Sequence, residues 1–229
     1  MISFTVDQFL NVFAQYNLAV WPAQIFLYAI GVIAISLALL KKRDFNKSIS
    51  LILSLLWIWI GLVYHLWFFS AINGAAFIFA ALFILQGVLF LNAGVWKDQL
   101  IFRFRVNIHG MLGSLFLVYA LIAYPALAHW LGHRYPASPT FGLPCPTSIF
   151  TFGMLLGTDR PIPLLLLAIP LAWSFTGFWA AISLGMTEDV GLLAAGLLGS
   201  VLIIWRDKSW VSSHSGAEVL AAATGKFRH

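Results

Sequence analysis

The strongest constraint on this chain is a succession of apolar runs free of Asp, Glu, Lys and Arg. They are Val20 to Leu40, Ser50 to Ser70, Asn73 to Ala93, Val106 to Ala128, an irregular one within Thr140 to Gly157, Pro163 to Gly185, and Val190 to Trp205. Charged residues are 9% of the 229 residues and hydrophobic ones 61%, whereas soluble domains carry about a quarter charged residues. The solvent of such a chain is the bilayer. Lipid cannot satisfy backbone N–H and C=O groups, so only helices or closed barrels span it, and long runs without alternation select helices. The sequence therefore predicts an all-α, polytopic transmembrane bundle of about seven spans, the fifth short or broken.

A helix of about 20 residues rises ~30 Å, the hydrocarbon thickness. Most of the runs meet that length, and Val190 to Trp205 is marginal. The distribution of Lys and Arg sets the orientation. With the amino terminus outside, Lys41, Lys42, Arg43, Lys47, Lys97, Arg103, Arg105, Arg160, Arg206, Lys208, Lys226 and Arg228 fall on the cytoplasmic side, and Arg134 alone falls outside. Omitting the fifth crossing would put Arg160, Arg206 and Lys208 on the wrong face. Trp67, Trp96, Trp130 and Trp205 stand near segment ends, where an aromatic belt is expected. The net charge of +5 is read as a topology signal and not as a nucleic-acid footprint, because the basic residues lie in short runs beside apolar segments. No basic n-region with a cleavage site opens the chain, so no removable signal peptide is expected.

Residues 1–19 are expected to hold an interfacial amphipathic helix, 20–208 the bundle, and 209–229 a cytoplasmic tail with a surface helix over 213–223. In the first, a short helix is expected over Phe4 to Phe13, where Thr5 and Gln8 form a capping box, Phe4 staples on Phe9, and Val6, Phe9, Leu10 and Phe13 make an apolar stripe opposite Asp7, Gln8 and Asn11. Small residues at four-residue spacing, Ala76 and Ala80 in the third run and Gly177, Ala181 and Gly185 in the sixth, suit close helix approach. A small-residue lining around a ligand is the alternative.

The fifth run carries the functional argument. Thr147 to Gly157 would rise only ~16 Å as helix, about half a span. Pro144 and Pro146 prevent a regular helix from running back through Cys145, while Pro146 suits the first turn of one beginning there. The result is a half-helix, fed from outside by a partly extended stretch from Ser138 to Pro144. Non-helical backbone at that depth is tolerated where protein buries it or where it lines a wet cavity, and broken helices mark substrate sites in transporters. A long loop followed by a tilted short helix is the plainer alternative. Cys145, Pro146 and Thr147 are the expected helix-end donors, and Cys145 is equally compatible with a small buried hydrophobe.

His65 lies within the second span, where an ionisable group is a functional candidate by default. His129 and His133 close the fourth span at the same face, one turn apart if the helix continues, or form an exposed interfacial pair. Glu188 and Asp189 reach that side and either join a site or complement the start of the last helix. His65, His129, His133, Cys145, Glu188 and Asp189 are together the candidate ligands for zinc or copper. His109 belongs to the opposite face. Gln86, Asn92, Thr151 and Thr176 are explained by interhelical hydrogen bonds.

A retinal protein would need a lysine within the last span, and an intramembrane ceramidase-like hydrolase a histidine pair there; neither is present. No phosphate-binding loop, His-Glu-x-x-His or Gly-x-Ser-x-Gly motif occurs. The phrases FTVDQFLNVFAQYNLAVWPAQ, PTFGLPCPTSIFTFG and DVGLLAAG resemble those of a family of bacterial membrane proteins known only as a domain of unknown function, DUF6064. The resemblance spans nearly the whole chain and implies an inner-membrane setting, with no activity to carry over. The reading that follows is a multi-pass inner-membrane protein whose partners are the lipid bilayer and a small solute or ion, bound at an outer-half pocket by His65, Cys145, Pro146, Thr147, His129 and His133 and transported. The alternatives are a membrane-embedded metal-dependent or thiol enzyme, and an accessory subunit of a homo-oligomer or larger membrane complex.

Overall fold

The computed structural model describes residues 4–223, so Lys226 and Arg228 of the charge count lie outside the described residues. Eight helices follow one another: α1 Val6–Ala19, α2 Ala23–Leu40, α3 Phe45–Ala71, α4 Ala76–Trp96, α5 Ile108–Trp130, α6 Pro144–Leu156, α7 Leu165–Leu184 and α8 Val190–Ala223. Six of them, α2, α3, α4, α5, α7 and α8 with its leading turn, are long and apolar enough to cross a membrane. The protein is thus an all-helical, multi-pass membrane protein. Its outward surface agrees: Phe26, Ile33, Phe77, Ile122, Trp179 and Val201 are all exposed. Such apolar exposure suits lipid and not water.

α1 begins as expected. Thr5 Oγ1 accepts the Gln8 amide at 3.2 Å, Gln8 Oε1 accepts the Thr5 amide at 2.9 Å, and Phe4 stacks on Phe9 at 5.7 Å. The helix runs beyond Phe13 to Ala19, and its buried face is Val12, Phe13, Tyr16 and Asn17, while Val6 is exposed. Aromatic packing explains the extension. Phe13 meets Tyr64, Tyr16 meets Tyr64 and Phe68, and Phe9 meets Phe69, which lays α1 on one end of α3.

Close packing elsewhere depends on small residues. A Cβ on Gly61 would lie 2.9 Å from the Ala80 carbonyl oxygen, and one on Gly87 2.9 Å from that of Ser54, so α3 and α4 approach backbone to backbone. Ala76 and Ala80 fulfil the close-approach reading, both buried in that seam. Gly185 does not: nothing lies within 4 Å of its Cβ position, and its φ of +73° makes it the left-handed cap that ends α7.

At the end opposite α1, basic residues gather. Arg43 pairs with Asp98 and Arg105 with Asp159, and the loops around 102 and 158 are tied by Arg103 N to Gly157 O and Asp159 N to Ile101 O, each 2.8 Å. Residues 213–223, expected to be helical, are so, as the continuation of α8.

α6 stands in the middle. Its 13 residues are all buried except Cys145, which is half-buried. It packs against α5 through Gly113 and Gly153, where a Cβ on either would come within 2.9 Å of the other's carbonyl oxygen. Counting from that crossing, α5 continues ~26 Å to Trp130, while α6 reaches back only ~12 Å to Cys145. Cys145 therefore stands roughly 14 Å short of the end of its neighbour. At its other end the Arg206 guanidinium donates to the carbonyls of Leu155 (3.3 Å), Leu156 (3.4 Å) and Thr158 (2.8 Å), satisfying acceptors that a helix end leaves free.

Candidate functional site

The irregular chain that leads into α6 is held by α1 and α2. Asn17, with no solvent exposure, donates Nδ2 to the carbonyls of Pro136 (2.6 Å) and Ser138 (2.8 Å), and its Oδ1 accepts from Thr140 Oγ1 (2.9 Å) and Gln24 Nε2 (2.5 Å). Tyr16 donates its hydroxyl to the Gly142 carbonyl and accepts from Trp59 Nε1, and the Tyr28 hydroxyl accepts the Phe141 amide at 3.2 Å. These side chains do for non-helical backbone what water would do outside a membrane.

Leu143, in extended conformation, precedes the first turn of α6, and Pro144 and Pro146 occupy that turn. Neither proline has an N–H, and the Thr147 amide is already bonded to Leu143 O at 3.3 Å. Of the expected helix-end donors, Pro146 and Thr147 therefore offer no free amide, and Thr147 is fully buried outside the cavity described next. Only the Cys145 end of the helix faces open space.

That space is a cavity of about 290 Å³ between α1, α3, α4, α5, α6, α7 and the turn before α8. Its walls include Phe9, Tyr64, Phe79 and Trp173, and its polar groups include Cys145, Tyr124 and Asp189. The Asp189 carboxylate, 5% exposed, receives the Tyr124 hydroxyl, and the Cys145 thiol is turned to it as well. Cys145 Sγ and Trp173 Nε1 are neighbours, both within 4 Å of the Gly177 Cβ position. Gly177 and Ala181, two of the three small residues of the sixth run, line the cavity.

His65 is placed differently from expectation. It is fully buried in a box of aromatic rings formed by Tyr64, Phe69, Phe79, Phe83 and Trp173, with neither ring nitrogen hydrogen-bonded. It does not line the cavity. Trp173 stands between it and Cys145, its ring 5.3 Å from the imidazole on one side. The widened, π-type turn over Ile60–Phe68 carries His65, and helical periodicity in the sequence gives no sign of that irregularity.

His129 and His133 do not form a helical pair. α5 ends at Trp130 and Gly132 turns the chain with φ +97°, so His129 is left exposed while His133 leaves the helix and meets Glu188, Nδ1 to Oε1 at 2.8 Å. The Glu188 carbonyl accepts the Tyr119 hydroxyl at 2.7 Å. Among the described residues no three His, Cys, Asp or Glu side chains gather as a metal site would require. The six metal candidates are divided instead: His65 in its box, His129 exposed, His133 with Glu188, and Cys145 with Asp189.

A family model described as a family of unknown function, DUF6064, matches residues 6–213. The chain belongs to this family. No curated protein and no solved structure matches it. In the DUF6064 chain the matched stretch takes in α1, the loop that α1 binds, Cys145 and Asp189. Two of the phrases that carry the resemblance are thereby the two faces of one contact: Tyr16, Asn17 and Gln24 in the first hold Thr140 and Gly142 in the second.

Two polar groups work elsewhere in the DUF6064 fold. Pro170 within α7 cannot donate to the Leu166 carbonyl, and Gln86 Nε2 of α4 does so instead at 3.0 Å. Thr151 accepts from Trp57 Nε1 at 2.9 Å. Among the described residues Thr176 makes no interhelical bond of this kind; its hydroxyl donates to Ala172 of its own helix.

Proposed function

We propose that this protein binds a small solute in the cavity at the start of α6 and carries it across the bacterial inner membrane, as a permease. The observation that bears most weight is a buried carboxylate, Asp189, in a cavity of about 290 Å³ that also meets the first turn of an incomplete helix. That size is near the lower end of small-molecule sites, about 300–1,000 Å³, and incomplete helices at mid-depth are where transporters place their substrates. The α1 end faces outside in this reading, because Lys41, Arg43, Arg103, Arg105, Arg160 and Arg206 gather at the other end. α6 together with the irregular residues before it completes a seventh crossing. A metal enzyme is less well supported, since its candidate ligands are dispersed.

Ala180 lines the cavity from α7, so Ala180→Phe tests the assignment by filling it. Purified protein in lipid nanodiscs should lose solute binding, and proteoliposomes should lose solute flux, while the helical circular-dichroism signal remains. Binding and flux equal to those of the unaltered protein would remove the cavity from the function.

A further inference from the structure

Among the described residues Asp189 has hydrogen-bond partners and none for its charge. The Tyr124 hydroxyl donates to Oδ1 and the Cys145 thiol faces the carboxylate, both neutral groups. Among the described residues the ion pairs are Arg43 with Asp98, Arg105 with Asp159, His133 with Glu188 and Arg206 with Asp207, so no basic side chain answers Asp189. The adjacent Glu188 adds a second carboxylate whose Oε2 is buried without a hydrogen bond. A charged group held inside a membrane bundle calls for a counter-charge or a proton.

The rest of the cavity is suited to supply the setting for a cation. Phe9, Phe13, Phe69, Phe79 and Trp173 line it, and aromatic faces attract ammonium and quaternary ammonium groups. The two prolines remove amide donors that an anion would use. We infer that the ligand is a small organic cation, an amine or quaternary ammonium compound, whose charged nitrogen sits against Asp189 while its alkyl groups lie on the aromatic wall. This rests on the solute-binding reading and adds the class of solute.

Four probes of similar size separate charge from shape: n-butylammonium, tetramethylammonium, n-butanol and butyrate, titrated into the full chain in nanodiscs with tryptophan fluorescence as readout. The ammonium probes should bind at least about tenfold more tightly than n-butanol, as a charge-assisted contact requires, with butyrate weakest. Asp189→Asn should erase the difference while n-butanol binding stays. Should that variant fail to fold, the ranking in the unaltered protein decides alone. n-Butanol or butyrate binding as well as the ammonium probes would overturn the cation assignment and leave the cavity as a solute site. If none of the four binds, the cation assignment fails, and an Ala180→Phe variant that still transports shows that the cavity reading has failed with it.

Discussion

Asn17→Ala is the substitution with the most to say about how the incomplete helix is held. One carboxamide makes four hydrogen bonds in a fully buried position, two as donor to the carbonyls of Pro136 and Ser138 and two as acceptor from Gln24 and Thr140. Removing it strands two carbonyls in surroundings without water and leaves two donors with fewer acceptors; Gln24 and Thr140 can still bond to each other at 3.1 Å. At about 1 kcal/mol for each of the four net bonds, the loss is about 4 kcal/mol. Unfolding in mixed micelles of rising SDS fraction, followed by tryptophan fluorescence, measures it. Asn17→Asp keeps the acceptor but sets a carboxylate against two carbonyls, and it should cost at least as much as the alanine. An Asn17→Ala protein within about 0.5 kcal/mol of the unaltered one would refute the claim that this residue anchors the loop, because that is the range of surface substitutions.

Gln86→Leu should destabilise by about 1–2 kcal/mol in the same assay, since the Leu166 carbonyl then has no donor beside Pro170. Gly153→Ala should cost about 1–3 kcal/mol because its Cβ would press on the Gly113 carbonyl, which cannot move aside, whereas Gly74→Ala, with open space around it, should be near neutral. Arg206→Gln should cost about 2–4 kcal/mol, as the end of α6 loses three contacts and Asp207 its ion partner. Size-exclusion chromatography of the detergent-solubilised protein shows whether each variant still folds.

Features set by neighbours in the chain were legible in the sequence. The capping box of Thr5 and Gln8, the Phe4 and Phe9 staple, the extended Leu143 before Pro144 and the shortness of α6 all follow from local chemistry; the turn from Thr140 to Leu143, with Gly142 at φ +97°, does not. That the two prolines silence the amides of the helix start was implicit in the residues themselves and went against the donor role assigned to Pro146. What stayed hidden depends on distance in sequence or on irregular turns. Asn17 finds its carbonyl partner 119 residues away, and in isolation it is one polar residue on an amphipathic helix. His65 was singled out for being an ionisable group in a span, but its direction is set by a π-type turn and five aromatic neighbours. Asp189 read as a helix-start carboxylate, and its place in a cavity emerges only when α5 brings Tyr124 across to it.

The single thiol offers the most direct test of the central claim, that α6 begins at a cavity reached from outside. Cells or right-side-out vesicles carrying the protein are treated with membrane-impermeant methanethiosulfonates bearing either a trimethylammonium or a sulfonate group, and modification of Cys145 is followed by mass spectrometry. The account predicts modification from the outside, faster with the cationic reagent because of Asp189, and suppressed by Ala180→Phe. A Cys145 that reacts only after denaturation, or only from the cytoplasmic face, would contradict it.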